Sequence, residues 1–229
     1  MDESTAEEFG RIALELHDQP GLVETIDQVA QYALSAVSCD YADVLFIHRR
    51  EKVESMASTD PAAETAGQLQ ITHHEGPALT MTGSDERHIA IHDTTSDERW
   101  PTWSAEVAKL GIRSVLTVRL ATLKNTLGVI NVYGHRPDCF DEDDLAVAHV
   151  LAQHAAVALA AARQESTLWL AIDARKTIGQ AQGILMERYD LTPEQAFGVL
   201  RRYSQGHNVK LSEVARLLIS TRKLPEPPK

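Results

Sequence analysis

An α+β domain with an antiparallel sheet, joined by one long helix to an all-α domain of three helices, is the fold class that this 229-residue chain predicts. Three observations carry that expectation. Up to Tyr133, helical and alternating apolar periods succeed one another as helix, strands, helices, strands and then a closing helix, which is an α+β order. From Asp141 onward the apolar residues recur in steps of four and three, with no Pro or Gly before Gly179. Beyond that point three short apolar stripes, separated by turn signals, are able to close one small core.

Thr5 to Asp18 places Phe9, Ile12, Ala13 and Leu16 on one side and stops at Pro20-Gly21, the pattern of a short helix. Leu22 to Val37 keeps a helical repeat through Val23, Ile26, Val29, Ala30, Ala33, Leu34 and Val37. Two β-rich runs follow, Ala42 to His48 and Lys52 to Ala57, and the charged Arg49-Arg50-Glu51 between them makes a hairpin. Ala62 to Leu69 is expected to be helical. The next stretch, ITHHEGPALTMTGSDE, is polar and punctuated by Gly-Pro and Gly-Ser, so it reads as a loop leading to a short helical turn. His88 to Asp93 is a strand, Asp97 to Pro101 a loop, and Ser104 to Lys109 a helix capped by Gly111. Arg113 to Leu120 and Thr126 to Tyr133 alternate as two strands across a Lys124-Asn125 turn, with Gly128 as a bulge. Because the long loops lie over one sheet face, a cavity for an unknown small molecule is expected there. Leu45, Ile47, Ile91, Trp100, Trp103 and Val115 are its candidate walls.

Asp141 to Asp144 is an acidic helix start that the macrodipole favours. Val150, His154, Val157, Ala161, Gln164, Leu168, Ala171, Arg175 and Ile178 then form a heptad seam. A parallel homodimer through this seam is the expected assembly. The alanines of AAVALAAA permit close contact, and His154 and Gln164 fix register as isolated polar seam residues. The competing reading is a helix that covers its own domain's sheet.

In the run ARKTIGQAQGILMERY, Ile178, Ala181 and Leu185 form a narrow stripe. Gly179 and Gly183 inside it each cost about 1 kcal/mol relative to alanine, which points to a close backbone approach by another helix or a ligand. The chain turns at Asp190-Leu191, and Thr192-Pro193-Glu194-Gln195 starts a new helix with a hydroxyl cap, a proline at the first position and a glutamine at the third. Ala196, Leu200 and Tyr203 continue it to a cap at Gly206, and Leu211, Ala215 and Leu218 mark the third helix. The expected divisions are residues 6–163, residues 164–222 and a flexible tail over 223–229.

Charge separates along the same line. Residues 164–229 hold 10 Lys and Arg against 7 Asp and Glu, a balance of +3, whereas residues 1–163 hold 12 against 26, a balance of -14. A nucleic-acid partner must therefore meet a local patch on the second part. The hydropathy reads as soluble, with no run near the ~20 apolar residues of a membrane span. MDESTAEE is too acidic for the n-region of a signal peptide, so a cytoplasmic protein without a membrane partner is expected. Cys39 and Cys139 fit neither a disulfide framework nor a metal knuckle.

Catalytic patterns are not found: the chain has no G-x-S-x-G elbow, P-loop, Gly-rich dinucleotide loop or H-E-x-x-H. His73, His74, His88 and His92 lie within twenty residues, but two fall in a loop and two on a strand, so solvated or hydrogen-bonded histidines are expected rather than a metal site. Neither an enzyme nor a cofactor is predicted.

The runs RKTIGQAQGILMER, AFGVLRRYS and NVKLSEVA, over about Ser166 to Thr221, resemble the ANTAR domain of bacterial transcription antiterminators. The resemblance implies a three-helix RNA-binding module that recognises paired hairpin loops in nascent transcripts and so controls termination. Gln182 stands where many members carry a basic residue, and Gly179 is also a departure. Ala6 to Arg163 resembles a GAF domain, the small-ligand sensor fold, through the strand pair at Ala42, Glu75-Gly76-Pro77, Gly111-Ile112-Arg113-Ser114 and LGVINVYGHRPDCFDEDD. Ala78 replaces the cysteine that often follows Gly-Pro in that family, which removes thiol-based sensing there. Together they resemble a GAF-ANTAR antitermination regulator of the actinobacterial type. The expected RNA face is Arg175, Lys176, Gln180, Gln182, Gly183, Arg188, Arg201, Arg202, Tyr203, Ser204, Asn208 and Lys210, with basic groups on phosphates, Tyr203 stacking on a base, and Gln180, Ser204 and Asn208 reading base edges. A DNA-binding regulator and a dimerisation adaptor without nucleic acid are the alternatives, although no helix is as rich in Arg, Asn and Gln as a DNA-reading helix requires.

Overall fold

The computed structural model describes residues 3–48, 53–123 and 125–223. The chain divides into two compact units between Arg163 and Gln164. In the first, α1 (Glu3–His17) and α2 (Leu22–Ala36) precede the hairpin of β1 (Tyr41–Ile47) and β2 (Val53–Ser58). Then come α3 (Pro61–His73), α4 (Pro77–Thr82), β3 (His88–Ile91), α5 (Pro101–Lys109), β4 (Ser114–Ala121), β5 (Thr126–Gly134) and the start of α6 (Glu142–Tyr189). The strands make one antiparallel sheet in the order β2-β1-β5-β4-β3.

Alternation along the strands builds two cores. Val44, Leu116, Val118, Ile130 and Val132 pack with α1, α2 and the first part of α6, while Leu45, Val115, Val129 and Tyr133 pack with α3, α4 and α5. The sheet is therefore the middle of three layers. Gly128 is required by a close approach: a Cβ there would stand 2.1 Å from the Leu45 carbonyl oxygen of the neighbouring strand. The expected bulge lies beside it, as a register shift between Leu120 and Ala121.

Prolines at the first turn open α3, α4 and α5, two of them earlier than the periodicity indicated. Residues Ile71 to His73, expected in a loop, complete α3. Pro101, also expected in a loop, begins α5 because its cap is remote in sequence: the Glu75 carboxylate accepts from the Thr102 and Trp103 amides at 2.9 and 3.0 Å. Gly76 holds φ +129, and a Cβ on it would be 2.5 Å from the Gln70 side chain, whose Oε1 accepts from the Ala78 amide at 2.9 Å. This gives the Glu-Gly-Pro loop a structural purpose. The Arg49-Arg50-Glu51 turn, Lys52, Lys124, the side chain of Phe9 and the tail from residue 224 lie outside the described residues.

The Asp141 carboxylate accepts from the Asp143 and Asp144 amides, both at 2.9 Å, and starts α6, one helix of 48 residues. Its two readings divide by face. Ala148, Leu151, Ala152, Ala155, Ala156, Ala158 and Leu159 are buried on the unit's own sheet. Val157, Ala161, Gln164, Leu168 and Ala171 of the seam are exposed, and Val150 and His154 are half-buried. Contrary to the hydropathy reading, α6 is long and apolar enough to cross a membrane by length and composition, yet it is these sheet-covering residues that make up much of its apolar character.

In the second unit the end of α6, α7 (Pro193–His207) and α8 (Leu211–Thr221) enclose Ala181, Leu185, Ala196, Leu200, Val214, Ala215 and Leu218. Ile178, the last seam position, packs against this core. Asp190 turns the chain with φ +50, and the Leu191 amide donates to the Met186 carbonyl at 3.3 Å. Thr192 and Gln195 form the expected capping box. The end of α7 differs from expectation: Gly206 stays helical and Asn208 is the cap, at φ +53, with its amide donating to the Ser204 carbonyl. Asparagine tolerates that conformation where alanine does not. Asn208→Ala should therefore lose about 1 kcal/mol of stability in urea unfolding, whereas Asn208→Gly should lose little, since glycine carries no Cβ penalty. An equal loss in both would contradict a conformational role.

Candidate nucleic-acid interface

On α6, Lys176, Gln180 and Gly183 fall at i, i+4 and i+7, opposite the buried Ala181 and Leu185, and all three are exposed. Arg175 is exposed on a flank. Neither Gly179 nor Gly183 has a neighbouring atom within 4 Å of a built Cβ, so no helix of this unit makes the close approach expected there. Arg201, Arg202, Asn208 and Lys210 are exposed on α7 and the turn after it.

Four other residues of the expected face are engaged within the unit. Gln182 is half-buried and its Nε2 donates to the Pro193 carbonyl at 3.1 Å. Arg188 is exposed but donates to the Arg222 carbonyl, at the end of α8, at 2.5 Å. Ser204 donates its hydroxyl to the Val209 carbonyl at 2.6 Å and so ties the turn between α7 and α8. Tyr203 is half-buried against the core and stacks on His207, with ring centroids 4.1 Å apart and 16° between planes. One face of its ring is thus covered by His207. The sequence reading passed over Tyr189 and Phe197, aromatic side chains that are 59% and 36% exposed, because neither lies on an apolar stripe. Exposed aromatics next to basic residues suit unpaired bases better than a stacked Tyr203 does.

In the first unit the six candidate pocket residues share one cluster under α3, α4 and α5: Leu45, Ile91, Trp100, Trp103 and Val115 are buried and Ile47 is half-buried. The Trp103 indole donates to the Ala66 carbonyl at 2.9 Å. On the same sheet face lies a polar group that sequence reasoning missed. The Asn131 amide donates to Asp43 Oδ1 at 2.6 Å, the Tyr133 hydroxyl to Asp43 Oδ2 at 3.0 Å, and the Thr117 hydroxyl to Asn131 Oδ1 at 2.7 Å. Gly67 of α3 lies against this carboxylate, where a Cβ would be 2.5 Å from Oδ2. An aspartate in the middle of the apolar run ADVLFI was the available signal.

Burial raises the Asp43 carboxyl to about 7, against the lowering effect of the hydrogen bonds from Asn131 and Tyr133. A raised folded value means that stability is fully present below the unfolded carboxylate range and is lost as pH rises through about 7. Wild type should accordingly lose stability between pH 5 and pH 8, by about 3 kcal/mol from this group. Asp43→Asn keeps an acceptor for Asn131 and an amide toward Tyr133, and should flatten that part of the profile. Thermal melts of both proteins across this range check it, and identical slopes would contradict it.

The histidines that cluster in sequence disperse in space. His73 Nε2 meets Glu106 at 3.3 Å, His92 Nδ1 meets Asp138 at 3.0 Å, and His88 Nδ1 meets His149 Nε2 at 3.2 Å. Cys39 and Cys139 are free thiols, and burial, then Asp40 and Asp144, push the Cys39 thiol up to about 12.

The GAF domain family model matches residues 21–160, and the ANTAR domain model matches residues 167–219. The first is a sensor domain and the second an RNA-binding antitermination domain, so both are regulatory and non-catalytic. No curated protein matches the chain. Among solved structures, the GAF domain of a phosphoenolpyruvate-protein phosphotransferase from Coxiella burnetii is 20% identical with a TM-score of 0.57, over 71% of this chain and 96% of that one. The corresponding domain from Acinetobacter is 20% identical with a TM-score of 0.56, over 73% and 99%. A bacteriophytochrome from R. palustris is 11% identical with a TM-score of 0.56, over 81% of this chain and 43% of its own length. At these identities the likeness is one of fold.

Proposed function

The chain belongs to the GAF family and carries an ANTAR domain behind its sensor, and on that premise we propose that it is a transcription antitermination regulator that recognises hairpin loops in nascent mRNA. The observation that carries this reading is the second unit itself. Its three apolar stripes close one core, and Arg175, Lys176, Gln180, Arg201, Arg202, Asn208 and Lys210 are left at the surface of a part of the chain that carries a balance of +3. Basic side chains hold phosphates, and open backbone at Gly183 admits the ribose-phosphate chain. Tyr189 and Phe197 take the stacking role first given to Tyr203, which serves with Ser204 to hold the turn after α7.

Two chains act together in this reading, through the exposed face of α6 at Val157, Ala161, Gln164, Leu168 and Ala171. A dimer presents two RNA-binding units to paired hairpins. Any small molecule sensed by the first unit is taken on the α3 to α5 side of the sheet, where the six expected wall residues lie together, five buried and Ile47 half-buried.

Gel shifts of the full chain with a hairpin RNA and with duplex DNA of the same sequence separate the alternatives. The proposal expects retention of the RNA and at most salt-labile retention of the duplex. Preference for the duplex would favour a DNA-binding regulator, and failure to retain either would favour an adaptor.

A further inference from the structure

We propose that His88 and His149 form a two-imidazole site for a divalent transition-metal ion of the zinc, nickel and copper class, joining the edge of the sensor sheet to α6. Sixty-one positions separate the two residues in the chain, yet His88 Nδ1 and His149 Nε2 lie 3.2 Å apart. Their rings stand at 81° with centroids 5.2 Å apart, so nitrogen-bearing edges meet rather than faces. Two nitrogens at 3.2 Å subtend an angle of about 100° at an ion roughly 2.0–2.1 Å from each, which is close to tetrahedral.

Both ligands are held by buried neighbours. Ile89 and Ile91 anchor β3 after His88, and Ala148, Leu151 and Ala152 anchor α6 around His149. The backbone on both sides of the pair is thus fixed by packing, and preorganisation of this kind favours binding. His88 is exposed and His149 half-buried, which leaves an entry path from solvent. Among the described residues no third His, Cys, Asp or Glu completes the set, so the remaining positions belong to water or an external ligand. Imidazole pairs select borderline ions over magnesium and calcium, which prefer oxygen. Arg87, the charged neighbour of this pair, opposes a cation and keeps the affinity moderate. An ion at this position clamps β3 to the helix that continues to Tyr189.

The test uses the full chain, stripped with a chelator and then melted with zinc, nickel or magnesium chloride. At about ten times the dissociation constant, zinc or nickel should raise Tm by roughly 3–5 °C and magnesium should not. His88→Asn and His149→Asn should each abolish the metal-induced rise whatever their own Tm, while His92→Asn should keep it. With copper(II), electron paramagnetic resonance should count two imidazole nitrogens in wild type and one in His88→Asn. A rise that persists in both variants, or no rise with either ion, would show that the pair is an ordinary hydrogen bond and overturn the proposal.

Discussion

Arg201→Ala combined with Arg202→Ala is expected to weaken binding to every RNA hairpin, by roughly 10- to 100-fold at moderate salt, and to flatten the salt dependence by about 1.4 in log–log slope. Both side chains are exposed on α7, away from the buried Ala196 and Leu200, so the fold should survive and circular dichroism should match wild type. Asn208→Gly separates affinity from selectivity. It keeps the left-handed cap at φ +53 but removes the amide, and should reduce discrimination between loop sequences more than affinity. An alanine at that position would confound reading with backbone strain. Fluorescence anisotropy across a salt series measures both effects, and an unchanged slope in the double variant would mean that these arginines are only a solvated face.

The second large effect concerns assembly. Val157→Asp with Leu168→Asp should convert a dimer into monomers in light scattering at micromolar concentration. Val157 and Leu168 are 67% and 60% exposed and contribute nothing to the sheet core, so charge placed there acts on association and not on folding. Val150 is a poorer choice because it packs against the chain's own core. A wild type that is monomeric under these conditions would remove the model.

What was legible in the sequence follows from how local each signal is. The Thr192 cap, the three stripes of the second unit and the strands around Val44 and Ile130 announce themselves within a few residues, and the structure has them. Signals that act over distance were not readable. The start of α5 at Pro101 depends on Glu75, twenty-seven residues before Thr102, and the need for glycine at 128 depends on the neighbouring β1. Asp43 makes sense only once β4 and β5 bring Thr117, Asn131 and Tyr133 beside it. At the candidate interface, exposed position was legible for Lys176, Arg201 and Arg202. For Gln182, Arg188, Tyr203 and Ser204 it was not the whole account, because each makes a contact inside the unit that a helical wheel does not reveal. Long α6 showed both of its periods at once, and only burial assigns one face to the sheet.

Under the proposed function, two chains read RNA hairpins in pairs. Titrating the full chain into a transcript carrying two adjacent hairpins, with a single-hairpin transcript in parallel and the complex mass measured, tests it most directly. Two chains are expected on the two-hairpin RNA, bound more tightly than the single hairpin because the second contact is intramolecular; binding of neither transcript at low salt would show that the chain does not read hairpins.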